Sequence, residues 1–218
     1  TLNFGASNTT IWTAEVYDNP TTADRLEGFE VYINDTSATV DFRLYQSMTG
    51  TTPTTLLHSE PGFAAVLGWN RFMLASPQSF PQAATRVVVL KITAATFLFP
   101  AAVDGHGPNS GRCYADTDGI GAYSTMPYDL SQTALLGRTQ QATVYVNFSF
   151  LGVELGTETN PFNTFAEGLA GVLAGGTIVL NGAVADTASS WTGTLNTAVT
   201  LTASPAGPVQ IGVAGGGS

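Results

Sequence analysis

Between Leu26 and Phe150 apolar residues return at every second position, in runs separated by turn-forming residues. Phe29, Val31 and Ile33 alternate with Glu30 and Tyr32, and Val40, Phe42 and Leu44 alternate with Asp41, Arg43 and Tyr45. Successive side chains of an extended strand point to opposite faces, so each run has one face to bury. This period of two constrains the chain more than any other feature, because a helix would scatter the same residues around its axis. Asn34-Asp35-Thr36-Ser37 is turn chemistry of hairpin length, which predicts that the first two runs form an antiparallel pair. Gly50 to Pro61, rich in Thr and Pro, predicts a loop around Leu56-Leu57. Trp69 to Leu74, Arg86 to Thr93 and Thr143 to Phe150 resume strand character. The unbroken Val87-Val88-Val89-Leu90 run predicts a strand covered on both faces.

Composition narrows the function. Seven basic residues, of which only Lys91 is a lysine, stand against sixteen acidic ones, for a net charge of -9. Such a field repels phosphate backbones and anionic lipid, so no nucleic-acid partner is expected. No apolar run reaches the roughly 18 residues that span a bilayer as a helix, so no membrane insertion is expected either. Low lysine with abundant Thr, Gly and Asn points to an extracellular or cell-surface protein. Cys113 is the single cysteine, which forbids an internal disulfide and reads as a small buried side chain.

The sequence changes character near Val153. Aromatics thin out, Ala and Gly rise, and a helix signal appears: Thr164 with Glu167 three residues on is a capping box, followed by Phe165, Leu169, Val172 and Leu173 on one face. Gly175-Gly176 is the expected stop. Three apolar segments come next, Thr177 to Leu180, Ala198 to Leu201 and Val209 to Val213, the first two about one solenoid rung apart. The run from Gly156-Thr157-Glu158-Thr159-Asn160-Pro161-Phe162-Asn163-Thr164-Phe165 through the helix to Gly175-Gly176-Thr177-Ile178-Val179-Leu180-Asn181-Gly182 resembles the opening of right-handed parallel β-helix domains of the pectin-lyase-like class. The preceding residues resemble, less specifically, the sandwich modules that accompany such solenoids in secreted surface proteins.

The expected fold is therefore all-β: an antiparallel β-sandwich, jelly-roll-like, over residues 1–152, then a short helix-capped partial parallel β-helix over residues 153–218. In that family the catalytic carboxylates or basic residues lie on later coils, and none carries over here. Asp186 is the only acidic residue after the helix, and no Lys or Arg follows Arg138. No enzyme activity is expected.

Other candidate chemistry is thin. His58 and His106 are far apart in sequence and lack a neighbouring nucleophile pattern, so both read as structural or solvated. Asp116-Thr117-Asp118-Gly119 has a calcium-loop spacing, but an ordinary turn is the stronger reading; no cofactor is expected, and calcium is not favoured. Trp12, Trp69 and Trp191 with Tyr114, Tyr123 and Tyr128 could stack on sugar rings; Trp69 is expected to be packed and the three tyrosines exposed.

A solenoid ending after two rungs leaves an unpaired apolar edge, unless a longer chain continues it. The expected function is thus a secreted structural protein that self-associates by strand pairing into a filament, sheath or surface layer. The assembly residues would be Phe4, Ile11, Trp12 and Val16, on an amino-terminal donor strand, and Val199, Leu201, Val209, Ile211 and Val213 on the tail. The alternative is a carbohydrate-binding or adhesive module of a longer β-helix surface protein or polysaccharide-degrading enzyme.

Overall fold

A computed structural model of the chain describes residues 9–19, 23–96, 100–104, 110–119, 122–181, 195 and 198–204. The fold is all-β with one short helix. The strands are β1 (Thr10–Asp18), β2 (Arg25–Ile33), β3 (Ala38–Thr49), β4 (Thr52–Ala65), β5 (Gly68–Ser79), β6 (Thr85–Ala94), β7 (Val103–Asp104), β8 (Cys113–Asp116), β9 (Ser124–Thr125), β10 (Asp129–Leu130), β11 (Gln132–Gly137) and β12 (Gln141–Val146). Helix α1 (Phe165–Gly171), β13 (Val172–Leu180) and β14 (Thr200–Ala203) complete the set. Contacts divide the chain into Thr1–Gly137 and Arg138–Ser218, so the division falls after Gly137 rather than near Val153.

The first unit stacks two antiparallel sheets. One has the order β4-β3-β6-β1-β8-β9, the other β11-β2-β5, with a small β10-β7 pair beside them. Their facing sides carry the apolar half of each alternation: Phe29 of β2 stacks on Phe42 of β3 with ring centroids 5.2 Å apart. The expected pairing of these two strands is therefore corrected. β2 pairs with β5 and β11, β3 with β4 and β6, and the Asn34–Ser37 turn carries the chain from one sheet to the other. Two runs with one apolar face each can bury those faces by stacking as well as by lying side by side. Asp35 fixes this corner: its carboxylate accepts from Ser37 N at 3.3 Å and Thr96 N at 2.8 Å.

The loop expected around Leu56-Leu57 is instead the long edge strand β4. Its Thr and Pro content serves an edge: Pro53 and Pro61 have no N–H to offer a further strand, and Thr55 and Gly62 have positive φ. The Val87–Leu90 run lies in β6, between β3 and β1, and all four residues are buried. The inner face of its sheet meets the sandwich core; the outer face forms a second cluster of Trp12, Ala14, Val87, Val89 and Tyr123. That cluster explains the described part of the long Pro100–Tyr128 segment, which pairs β8 onto β1 and places Tyr123 over the sheet. Gly119 is part of the cover. Its φ is +69°, and a Cβ there would sit 2.3 Å from the Trp12 ring.

In the second unit, β12, β13 and β14 form a parallel sheet. Thr164 caps α1 as its spacing predicts: its hydroxyl accepts from Glu167 N at 3.2 Å and donates to Glu167 Oε2 at 2.7 Å. The helix is shorter than expected. Val172 is already extended, with φ −92° and ψ 140°, and opens β13. Gly168 and Gly171 weaken helix propensity, while a Cβ on Gly168 would press to 2.6 Å from Val146, so glycine there allows close seating on the sheet. The three strands align in register: Val144, Ile178 and Leu201 form one ladder, and Val146, Leu180 and Ala203 another. A parallel strand pair needs a crossover between its members, and α1 lies within the one joining β12 to β13.

Candidate functional site

The expected assembly residues have different positions. Ile11 and Trp12 are buried within their own molecule, and Val16 packs against the outer cluster. Their strand β1 is hydrogen-bonded on one side to β6 and on the other to β8, so the pairing expected with a neighbouring molecule is made within the chain. Two cations approach the Trp12 ring, Arg43 at 4.5 Å and Lys91 at 5.6 Å from its centroid. Val199 packs partly buried against the second unit's core, and Leu201 is 43% exposed. Phe4, Val209, Ile211 and Val213 lie outside the described residues, as do His106 and Trp191.

The aromatic expectations are overturned except at Tyr128. Tyr123 is buried and Tyr114 partly so, leaving only Tyr128 exposed among those three. Trp69, expected in the core, is 60% exposed. The alternation contained the signal: Trp69, Arg71 and Met73 share one face of β5, while Phe72 and Leu74 lie on the other, which packs into the core. Arg71 between the two large apolar groups marks their face as the wet one.

That outward face is a built surface. In the β2–β5 register Tyr32 stands opposite Trp69, Glu30 opposite Arg71, and Gly28 opposite Met73. The Tyr32 and Trp69 rings meet edge to face at 5.7 Å and 89°. Arg71 Nη1 lies 3.8 Å from Glu30 Oε1, an exposed pair worth little for stability but able to offer donors and an acceptor beside the rings. Val66 and Leu67, in the short β4–β5 connection, are exposed just before Trp69. Sequence reasoning missed Tyr32, Glu30 and Arg71 as members of this surface, because only strand register brings them beside Trp69.

The remaining candidates have structural partners. His58 Nε2 lies 3.4 Å from Glu60 Oε2, and that carboxylate accepts from Ala75 N, tying β4 to β5. Asp116 accepts from Thr117 N at 2.7 Å and Gly119 N at 3.0 Å, so its oxygens hold the turn over Trp12. No group of three or more His, Cys, Asp or Glu side chains with metal-holding geometry occurs among the described residues. Arg112 and Thr85 bond Asp18 and hold its carboxyl at about 2. Burial pushes the Cys113 thiol up to about 12, away from nucleophilic thiolate.

No protein-family model matches this sequence, and no curated protein matches it in sequence. In structure it is similar to the cysteine protease and lectin-like domains of Cwp84, a surface-layer-associated protein of Clostridium difficile, at 14% identity and a TM-score of 0.43 over 60% of this chain and 33% of that one. A second structure of clostridial Cwp84, after propeptide cleavage, matches at 14% identity and a TM-score of 0.45, over 61% and 37%. The match thus spans about a third of either structure's length. Among the described residues, no helix is long and apolar enough to cross a membrane.

Proposed function

We propose that this chain is a non-enzymatic, extracellular surface module that works by adhesion, with the outward face of the β11-β2-β5 sheet as its contact surface and a glycan as the group it contacts. The observation that carries this reading is Trp69: a large aromatic, 60% exposed, braced by Tyr32 and placed beside the Arg71–Glu30 pair. A sugar ring offers an apolar C–H face to an aromatic plane and hydroxyls to flanking charged groups, and this surface presents both partners. Exposed apolar groups rimmed by polar ones mark interaction surfaces. The test is a glycan array followed by titration of the best sugar. Trp69→Ala should weaken binding at least about tenfold, a loss of about 1.4 kcal/mol, and leave the melting temperature unchanged. A wild-type protein that retains no glycan sinks the reading.

A second reading, self-association into a filament or layer, is favoured by one specific observation. Along the Val144–Ile178–Leu201 ladder the first two side chains are fully buried and the third is 43% exposed, so the apolar row reaches β14 with its cover incomplete among the described residues. A strand added to β14 from a second copy would extend that row. Light scattering of wild type and Leu201→Lys separates the readings: concentration-dependent growth that the substitution abolishes supports assembly, and a strict wild-type monomer opposes it. The sandwich edge is a poorer route, since β4 is blunted by Pro53, Pro61 and Gly62.

A further inference from the structure

The face of β1 that looks between the two sheets of the first unit carries Ile11, Thr13, Glu15 and Tyr17 in turn. Ile11 joins the core; the other three form a polar seam toward β11. Thr13 Oγ1 donates to Gln132 Oε1 at 2.9 Å, and Tyr17 OH donates to the Gln132 carbonyl at 3.1 Å. Glu15 sits between them, in register with Cys113 of β8. Its Oε2 atom is buried with no hydrogen-bond partner among the described residues, and so is Gln132 Nε2. A buried carboxylate oxygen without a partner is costly when charged and far less so when neutral.

The one cation that acts on it, Arg112, does not offset its burial. Arg112, just before β8, pairs with Asp18, its Nη2 donating to Asp18 Oδ1 at 2.8 Å. Asp129 of β10 is a like charge, held by Ser110 N at 3.0 Å and Ser110 Oγ at 2.7 Å. Arg86 of β6, in register with Tyr17, donates to the Thr85 carbonyl and lies over the Phe80 ring at 5.8 Å. Cys113 and Tyr17 are the remaining titratable neighbours.

We propose that Glu15 is a proton-operated seal between the two sheets: protonated, it keeps the β1–β8–β11 seam neutral and closed, and on losing its proton it puts an uncompensated charge there that lets β8 part from β1. The proton is lost near neutrality. Burial, the largest cause, and the Asp129 charge push the Glu15 carboxyl up to about 7, against the lowering influence of the nearby Tyr17 and Cys113 side chains and of the Arg112 charge. Burial holds Cys113 up at about 12 and Tyr17 well above its ordinary value, so neither competes in this range. A carboxyl whose folded-state value is raised contributes stability that is complete below the ordinary 4.5 and lost as pH climbs to about 7.

Cys113 supplies the reporter. It is the only cysteine in the chain, it is buried, and it stands opposite Glu15, so its alkylation rate in the native protein reads local opening of the seam. Wild type and Glu15→Gln are labelled with iodoacetamide at about pH 5 and about pH 8; the Glu15 charge itself raises the closed-state thiol, which would slow wild type relative to the variant, so faster wild-type labelling reads opening and not thiol ionisation. At about pH 8 wild type should label roughly tenfold faster than the variant, and at about pH 5 the two should label alike. Equal rates at the higher pH overturn the proposal. So does a wild-type melting temperature that stays level between about pH 5 and pH 7, a measurement that needs no variant.

Discussion

Phe29 and Ile178 are both fully buried, but their surroundings are of different kinds. Phe29 meets the rings of Phe42, Phe63 and Phe72 at centroid distances of 5.2, 5.3 and 5.2 Å, drawn from both antiparallel sheets of the first unit. Ile178 is the middle member of a parallel ladder, between Val144 and Leu201, with Gly168 of α1 seated against it. A sandwich covers an apolar face with a second sheet, so its core is closed across the stack. A parallel ladder sets each side chain beside its counterpart on the next strand, so burial is shared along the sheet from strand to strand. Function is therefore confined differently in the two units. On the sandwich the proposed glycan contact uses the outward face, where Trp69 is, whereas on the ladder the proposed self-association uses the row itself, where Leu201 is.

The contrast between the two cores is most exposed to test at Phe29. Phe29→Ala should cost the first unit about 3–5 kcal/mol, measured by urea unfolding, because three rings lose their common neighbour. In the second unit, Ile178→Ala should cost about 2–5 kcal/mol, whereas Leu201→Ala should cost under about 1 kcal/mol. Equal costs for these two would mean that Leu201 is as well covered as Ile178. Glu15→Gln should stabilise the first unit by on the order of 2–3 kcal/mol at about pH 8 and by little at about pH 4, read from denaturation midpoints, because the folded state then no longer carries a buried charge. The smallest effect is at the helix: Thr164→Ala removes the hydroxyl that holds Glu167 and should lower the second unit's stability by about 1 kcal/mol.

Much of the fold is legible in the sequence. The alternation marks β2, β3 and β5 and the unbroken apolar run marks β6, with Phe29, Val31, Ile33, Val40, Phe42 and Leu44 all on the buried side, and the capping box marks the start of α1. The apolar segment Thr177–Leu180 falls within strand β13, and the one at Ala198–Leu201 overlaps β14 at Thr200–Ala203. The candidate surface is legible only in part. Trp69 reads as an aromatic that could stack on a sugar, yet the neighbouring Phe72 and Leu74 draw it toward the core. Residues three apart on a strand lie on opposite faces, so Phe72 is evidence against that assignment.

By itself the sequence determined the class of structure and the two faces of each strand, because side-chain parity and a local cap are properties of neighbouring residues. Tertiary structure alone decided which strands pair and which faces are covered. It set β1 between β6 and β8, stacked β2 over β3 instead of beside it, and joined β12 to the parallel sheet. It also buried Trp12 beneath Gly119 and left Trp69 in water, though each is a tryptophan on a strand. Parity says that a strand has two sides; only the packing of distant segments, through the area they remove from water and the hydrogen bonds they complete, chooses what lies against each side.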